Sequence, residues 1–272
     1  MLFVSFTAIF WTVQAYAEKK TVTAGIARRD FFFYSCLCLL PFAALMLPLS
    51  SFLWKPSWWL IPIFAASVLL RYGKLTTIVP TTEKLVPYES QAYMCLGVFL
   101  AYVIDGIAGI RAFSVWGVLS VLLAVGGVFL MADVKLRLRK LRVQLPVRIL
   151  CDVGGGFLTR YALLYCSNAL YLLLLNAVIV LLWLPRYSPC SYKEIFPALK
   201  LVFVQQLLGF VCLFLGNMAA QKSVTLYAFI RPITLAFCIL LAFVTKKEAR
   251  TPKIKDFLAA ACIGAGMYLQ TI

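Results

Sequence analysis

Apolar residues fill this chain in long runs, most of them close to the ~20 residues a helix needs to cross a ~30 Å hydrocarbon layer. Polar positions gather in short segments between the runs. The pattern predicts ten transmembrane helices, over residues 2–17, 31–52, 57–75, 78–104, 112–132, 147–165, 168–184, 198–221, 224–245 and 254–272. Runs such as 171–184 are apolar at consecutive positions and lack the alternation of a barrel strand, so helices are expected. The predicted fold is an all-α, polytopic membrane protein with no separate water-soluble domain.

Charge placement adds an orientation. The net charge is +16, yet only 13% of residues are charged while 63% are hydrophobic. Lys and Arg crowd the odd-numbered loops: Lys19, Lys20, Arg28 and Arg29; Arg71 and Lys74; Lys135, Arg137, Arg139, Lys140, Arg142 and Arg148; Arg186, Lys193 and Lys200; Lys246, Lys247, Arg250, Lys253 and Lys255. Even-numbered loops hold only Lys55, Arg111 and Lys222. By the positive-inside rule the odd loops are cytoplasmic and both termini lie outside. Cations placed this way answer to membrane orientation, so no nucleic-acid partner is expected.

Several chemistries lack their residues. The chain has no histidine, the commonest general base and metal ligand. The nine cysteines form no CxxC pair, and all but Cys190 sit in apolar stretches, where Cys acts as a small hydrophobe. No disulfide, metal or cofactor is expected. The ten acidic residues include no adjacent pair to hold Mg²⁺, which makes a membrane-embedded enzyme the weaker reading. Residues 2–17 lack a basic leader and a convincing cleavage site, and are read as the first span.

The halves 1–134 and 135–272 look related. Leu85-Val86-Pro87 opens the body of the fourth span and Ile230-Arg231-Pro232 that of the ninth. The closing spans carry Gly126-Gly127 and Gly264-Ala265-Gly266. Five spans per half is an odd number, so the second half enters the membrane upside down, the inverted 5+5 repeat of many transporters.

Polar side chains inside the spans are the candidate chemistry, because an ion in hydrocarbon costs about 2.5–3.5 kcal/mol on insertion scales and persists only with a partner or water. Thr7, Trp11, Gln14 and Glu18 share one face of the first span. In the fourth, Lys84, Tyr88 and Gln91 share a face, Glu89 pairs with Tyr93 at i, i+4, and Pro87 is expected to kink the helix. The sixth has Asp152 and Arg160 two turns apart around Gly154-Gly155-Gly156. The eighth offers Gln206, Asn217 and Gln221, and the ninth Tyr227, Arg231, Thr234 and Cys238. Arg231 presents a fork of donors suited to a carboxylate or phosphate, or to a salt bridge with Glu83 or Glu89.

Phe6-Thr7-Ala8-Ile9-Phe10-Trp11, Glu83-Lys84-Leu85-Val86-Pro87 and the tail from Ser223 to Gln270 give the chain a family likeness. It resembles the EamA-like branch of the drug/metabolite transporter superfamily, with Glu248, and Asp105 in the first half, matching that pattern's loop acid. The resemblance implies a cavity lined by spans one, three, four, six, eight and nine, alternating access for small metabolites, and cytoplasmic termini, against the charge count. The resulting expectation is a secondary transporter in the cell (inner) membrane for a charged or zwitterionic metabolite, of the amino-acid or S-adenosylmethionine class. Arg231 and Lys84 would hold the anionic end of the cargo. Glu89 or Asp152 would hold its cationic end or carry a coupling proton. Trp11, Tyr88 and Tyr227 would form a stacking wall, and Gln14, Arg160, Gln206 and Asn217 would complete the site. A lipid flippase or an accessory subunit on the same fold is the alternative.

Overall fold

A computed structural model of the chain describes residues 2–50, 52–110, 112–130, 141, 143–186, 192–245 and 252–269. The loop cations Lys135, Arg137, Arg139, Lys140, Arg142, Arg111, Lys246, Lys247 and Arg250 lie outside the described residues, as do Cys190 and Glu248. The described helices are α1 (Leu2–Thr23), α2 (Arg28–Met46), α3 (Leu60–Lys84), α4 (Pro87–Met94), α5 (Gly97–Ile107), α6 (Val115–Leu130), α7 (Gln144–Ala162), α8 (Asn168–Trp183), α9 (Tyr192–Lys222), α10 (Val224–Thr245) and α11 (Ile254–Leu269). Among the described residues there is no strand beyond an isolated bridge between Trp54 and Cys166.

Four helical stretches, Leu60–Lys84, Pro87–Ile107, Leu199–Lys222 and Val224–Thr245, are long and apolar enough to cross a membrane. Leu69, Leu122, Leu181, Leu182 and Phe243 face outward, while Asp152, Arg231, Gln205 and Glu18 are buried. A greasy exterior around a polar middle inverts the arrangement of a water-soluble protein and is that of a membrane protein.

The chain departs from the sequence expectation where the third span meets the fourth. The sequence pattern ends one span at residue 75 and starts the next at 78, with Arg71 and Lys74 counted to the loop between, yet α3 runs unbroken to Lys84. Thr76, Thr77 and Thr81 donate their hydroxyls to carbonyls three or four residues back, so they stay satisfied without leaving the helix. The turn comes at Leu85 and Val86, both extended. A residue before proline disfavours the helical region, and proline itself suits a helix's first position. Pro87 therefore starts α4 and does not kink it. Pro232, in contrast, lies well inside α10. The two prolines thus mark different depths and are not equivalent points of a repeat.

Packing joins α6 to α11, α3 to α7, α1 to α9, α2 to α8, and α4 and α5 to α10. Further contacts join α1 to α10, α5 to α7, α2 to α9, α3 to α8, α7 to α9, α1 to α3, α10 to α11 and α5 to α6. Glycines set the closest of these approaches. A Cβ on Gly127 would lie 2.8 Å from the Ala259 carbonyl oxygen, and one on Gly266 would lie 2.5 Å from that of Ser120. The contacts are reciprocal, each helix offering a glycine to the other's backbone, as small residues do between membrane helices. Asp105, fully buried at the end of α5, accepts the backbone N–H groups of Val224 (3.2 Å) and Thr225 (2.7 Å) and the Thr225 hydroxyl (2.6 Å). It thus caps the start of α10.

Gly266→Ala is expected to lower stability by about 1–3 kcal/mol, because a backbone oxygen cannot swing aside. Gly264→Ala, with nothing within 4 Å of the new atom, should leave it nearly unchanged. Melting of the two purified variants in detergent measures the difference; equal melting would show that α6 and α11 do not meet this closely.

Candidate functional site

Asp152, on α7 and 4% exposed, sits at the centre of the polar interior. Its Oδ1 accepts Lys74 Nζ of α3 and the Tyr227 hydroxyl of α10 at 3.1 Å. Its Oδ2 accepts Arg231 Nε at 3.2 Å and Nη2 at 2.7 Å. Arg231 Nη1 donates to Gln91 Oε1 of α4 at 3.2 Å. The guanidinium carbon lies 3.7 Å from the ring centre of Trp11 on α1, and Trp11 meets Tyr227 edge-on at 5.9 Å. One carboxylate thus compensates two cations, with an aromatic face beneath one of them.

A second ionic layer stands further along the same helices. Arg148 of α7 donates to Glu18 Oε1 of α1 at 3.2 Å and to the Thr81 hydroxyl of α3. Thr82 donates its hydroxyl to the same Glu18 oxygen at 2.7 Å. Lys19 Nζ donates to the carbonyls of Thr82 (2.6 Å) and Glu83 (3.2 Å). At 1.5 Å per residue, Lys74 and Thr82 on α3 are ~12 Å apart along the axis.

Between the layers lies a polar chamber lined from α1, α3, α4, α7, α9 and α10, with Trp11, Gln14, Gln91, Gln205, Gln206 and Arg71 among its walls. These helices fall in the stretches read as spans one, three, four, six, eight and nine. Its free volume is about 60 Å³, room for a few waters but not for a metabolite. A second pocket of about 50 Å³ lies across the Asp152 layer, lined by Ser67, Gly155, Thr159, Tyr171 and Asn217. Residue order fixes the stacking. Along α3 the chamber takes positions 75 to 82 and the second pocket position 67; along α9 the chamber takes 205 to 212 and the pocket 217. Lys74, Arg71 and Leu213 line both, so the Asp152 layer forms a wall between two polar spaces stacked along the bundle.

The sequence candidates divide accordingly. Trp11, Gln14, Gln206 and Arg231 line the chamber, and Asp152 and Tyr227 form its wall. Asn217 lines the second pocket and bonds Asn168 Oδ1 at 2.8 Å. Four candidates stand elsewhere. Lys84 is exposed at the end of α3. The bend at Leu85 and Val86 separates it from Tyr88 and Gln91, so those three share no continuous helical face. Tyr88 packs in the apolar core around Leu85, Val128 and Leu235. Glu89 Oε2 accepts the Val86 N–H at 3.3 Å and serves the start of its own helix, as a first-turn carboxylate does. Arg160 donates to the Gln221 carbonyl at 2.9 Å and to that of Lys222, so it caps the end of α9 and does not reach Asp152. Arg231 pairs with Asp152 in place of Glu83 or Glu89. Arg71, Lys74 and Arg148, counted above as loop cations, are interior groups. The partners of Lys74 and Arg148 were visible as Asp152 and Glu18, two carboxylates inside apolar runs.

No family model matches the chain, and no curated protein does. A solved structure described only as "Crystal structure of protein" is similar to it, with a TM-score of 0.66 and 14% identity over 98% of this chain and 95% of that one. That likeness shows a shared fold over nearly the whole length.

Removing one partner of a buried ionic network leaves the others uncompensated, a loss of about 3–5 kcal/mol. Asp152→Ala should lower stability by that amount, whereas Arg160→Ala, at a partly exposed helix end, should lower it by about 1 kcal/mol or less. Thermal unfolding in detergent separates the two; an Asp152→Ala protein as stable as its parent would mean that Lys74 and Arg231 do not depend on this carboxylate.

Proposed function

We propose that the protein is a multi-pass secondary transporter of the EamA-like kind, acting in the cell membrane by alternating access. The carrying observation is the pair of polar spaces stacked along the bundle and parted by the Lys74–Asp152–Arg231 wall. The wall and the Glu18 layer place several buried ions on one axis. They are compatible with hydrocarbon only while they hold one another or something polar that passes between them.

The helix packing supports an inverted 5+5 repeat. If α4 and α5 count as one span, exchanging each span of the first half for its counterpart in the second turns α3–α7 into α9–α1, α2–α9 into α8–α3, and α7–α9 into α1–α3. It also turns α1–α10 into α7–α5 and α10–α11 into α5–α6, while α6–α11 and α2–α8 map onto themselves. Two interlocked halves of this kind can open one polar space while closing the other. In the conformation described Glu18–Arg148 borders the chamber at one end and Asp152–Arg231 at the other, and its small free volume means that loading a metabolite requires one layer to part. Lipid movement is the weaker reading. An apolar recess of about 950 Å³ lies beside α3 and α8, lined by Trp54, Trp58, Phe64 and Leu174, but it shares no lining residue with either polar space. A headgroup entering from lipid would find no polar route there.

Arg231→Ala in proteoliposomes is expected to abolish substrate counterflow, and Arg231→Lys to reduce it by at least tenfold, because a point charge replaces the fork that bridges Asp152 and Gln91. Arg160→Ala should transport normally. Counterflow undiminished in Arg231→Ala would remove the wall, and with it this reading.

A further inference from the structure

We infer that the chamber takes a small dianion, a phosphate monoester or a dicarboxylate, and not a zwitterion. The inference rests on the transport reading only for where the ligand goes, not for what binds. Five side-chain cations, Lys19, Arg71, Lys74, Arg148 and Arg231, line the chamber. The carboxylates that face them are Glu18 in its wall and Asp152 behind Lys74 and Arg231. Lys19 is engaged by the carbonyls of Thr82 and Glu83, and the other four cations leave two positive charges over in a space walled by apolar helices. Glu83 and Glu89, which made an anion a poor match on sequence alone, do not line it; Glu83 is exposed, and Glu89 serves its own helix.

Hydrogen bonding points the same way. Arg71 Nε, Arg148 Nε and Trp11 Nε1 are buried without an acceptor among the described residues. All three belong to chamber residues, and no buried acceptor of a chamber residue is left over. A missing partner for this set has to supply acceptors and no donors, the inventory of a phosphate or carboxylate group. Arg71 and Lys74 stand three residues apart on one face of α3, a like-charge pair that Asp152 only half relieves. An anion beside Arg71, admitted when one layer parts, would relieve the rest. The glutamines Gln14, Gln91, Gln205 and Gln206 offer neutral contacts for the remainder of such a molecule without restoring negative charge.

The test is binding and exchange by the full-length protein at fixed ionic strength. Inorganic phosphate, glycerol 3-phosphate and succinate are compared with lactate, leucine and choline. Phosphate, glycerol 3-phosphate or succinate should raise the melting temperature in detergent with saturation, and which of them does so separates phosphate esters from dicarboxylates. Leucine and choline should not. Arg71→Gln breaks no ion pair among the described residues, so it should melt normally and bind the dianion at least tenfold more weakly, while Arg71→Lys should recover part of the loss. A stabilisation that persists unchanged in Arg71→Gln is a general salt effect and overturns the inference. So does saturable binding of leucine or choline without any of the dianions. Counterflow in proteoliposomes keeps the two readings apart. Dianion binding without exchange sinks transport and leaves the inference standing, and exchange of leucine or choline alone does the reverse.

Discussion

Asp152 makes the rest of the interior possible. Lys74 and Arg231 stand on different helices in a protein whose exterior is hydrocarbon-like, and each alone would cost several kcal/mol to keep inside. One carboxylate between them turns two liabilities into a crosslink joining α3, α7 and α10. Tyr227 fills the remaining position on Oδ1, and Trp11 and Gln91 hold the far side of Arg231. Every helix lining the chamber except α9 thus contributes a side chain to one connected network. The network also explains why α3 is a single helix: its polar middle is wanted where Asp152 is.

Much of the fold could be read from residue patterns because lipid imposes a simple rule, apolar outward and helical throughout. Arg231 and Asp152 stood out because each interrupts an apolar run, and Trp11 and Tyr227 because each shares a helical face with polar residues. Lys74, Arg71 and Arg148 did not, since a cation near a dip in hydropathy looks the same in a loop as in a helix whose partner lies on another helix. The difference is tertiary: Arg148 is four residues before Asp152 on α7, and each meets a cation or carboxylate brought by a different neighbour. Glu89 failed in the opposite sense. An acid just after proline in an apolar run reads as a buried site, but it is also what a helix start requires, and only the break at Val86 decides between them.

The two ionic layers differ in kind. The Asp152 layer is centred on a carboxylate held by two cations, whereas the Glu18 layer is one ion pair surrounded by threonine hydroxyls and carbonyls at the end of α3. Breaking the second frees fewer charges, and its hydroxyls offer alternative hydrogen bonds to whatever separates. Such an asymmetry makes the Glu18 end the easier one to part.

The cap that Asp105 places on α10 has a mechanical side. Its carboxylate grips the first two amides and a hydroxyl of α10 from the end of α5, so tilting one of these helices carries the other along. Gln91 and Arg231 then travel on one rigid arm, while Lys74 and Asp152 belong to the opposing pair α3 and α7. The seam between the two arms runs through the 2.7 Å contact between the guanidinium and the carboxylate, so that rocking one arm against the other loads this contact directly.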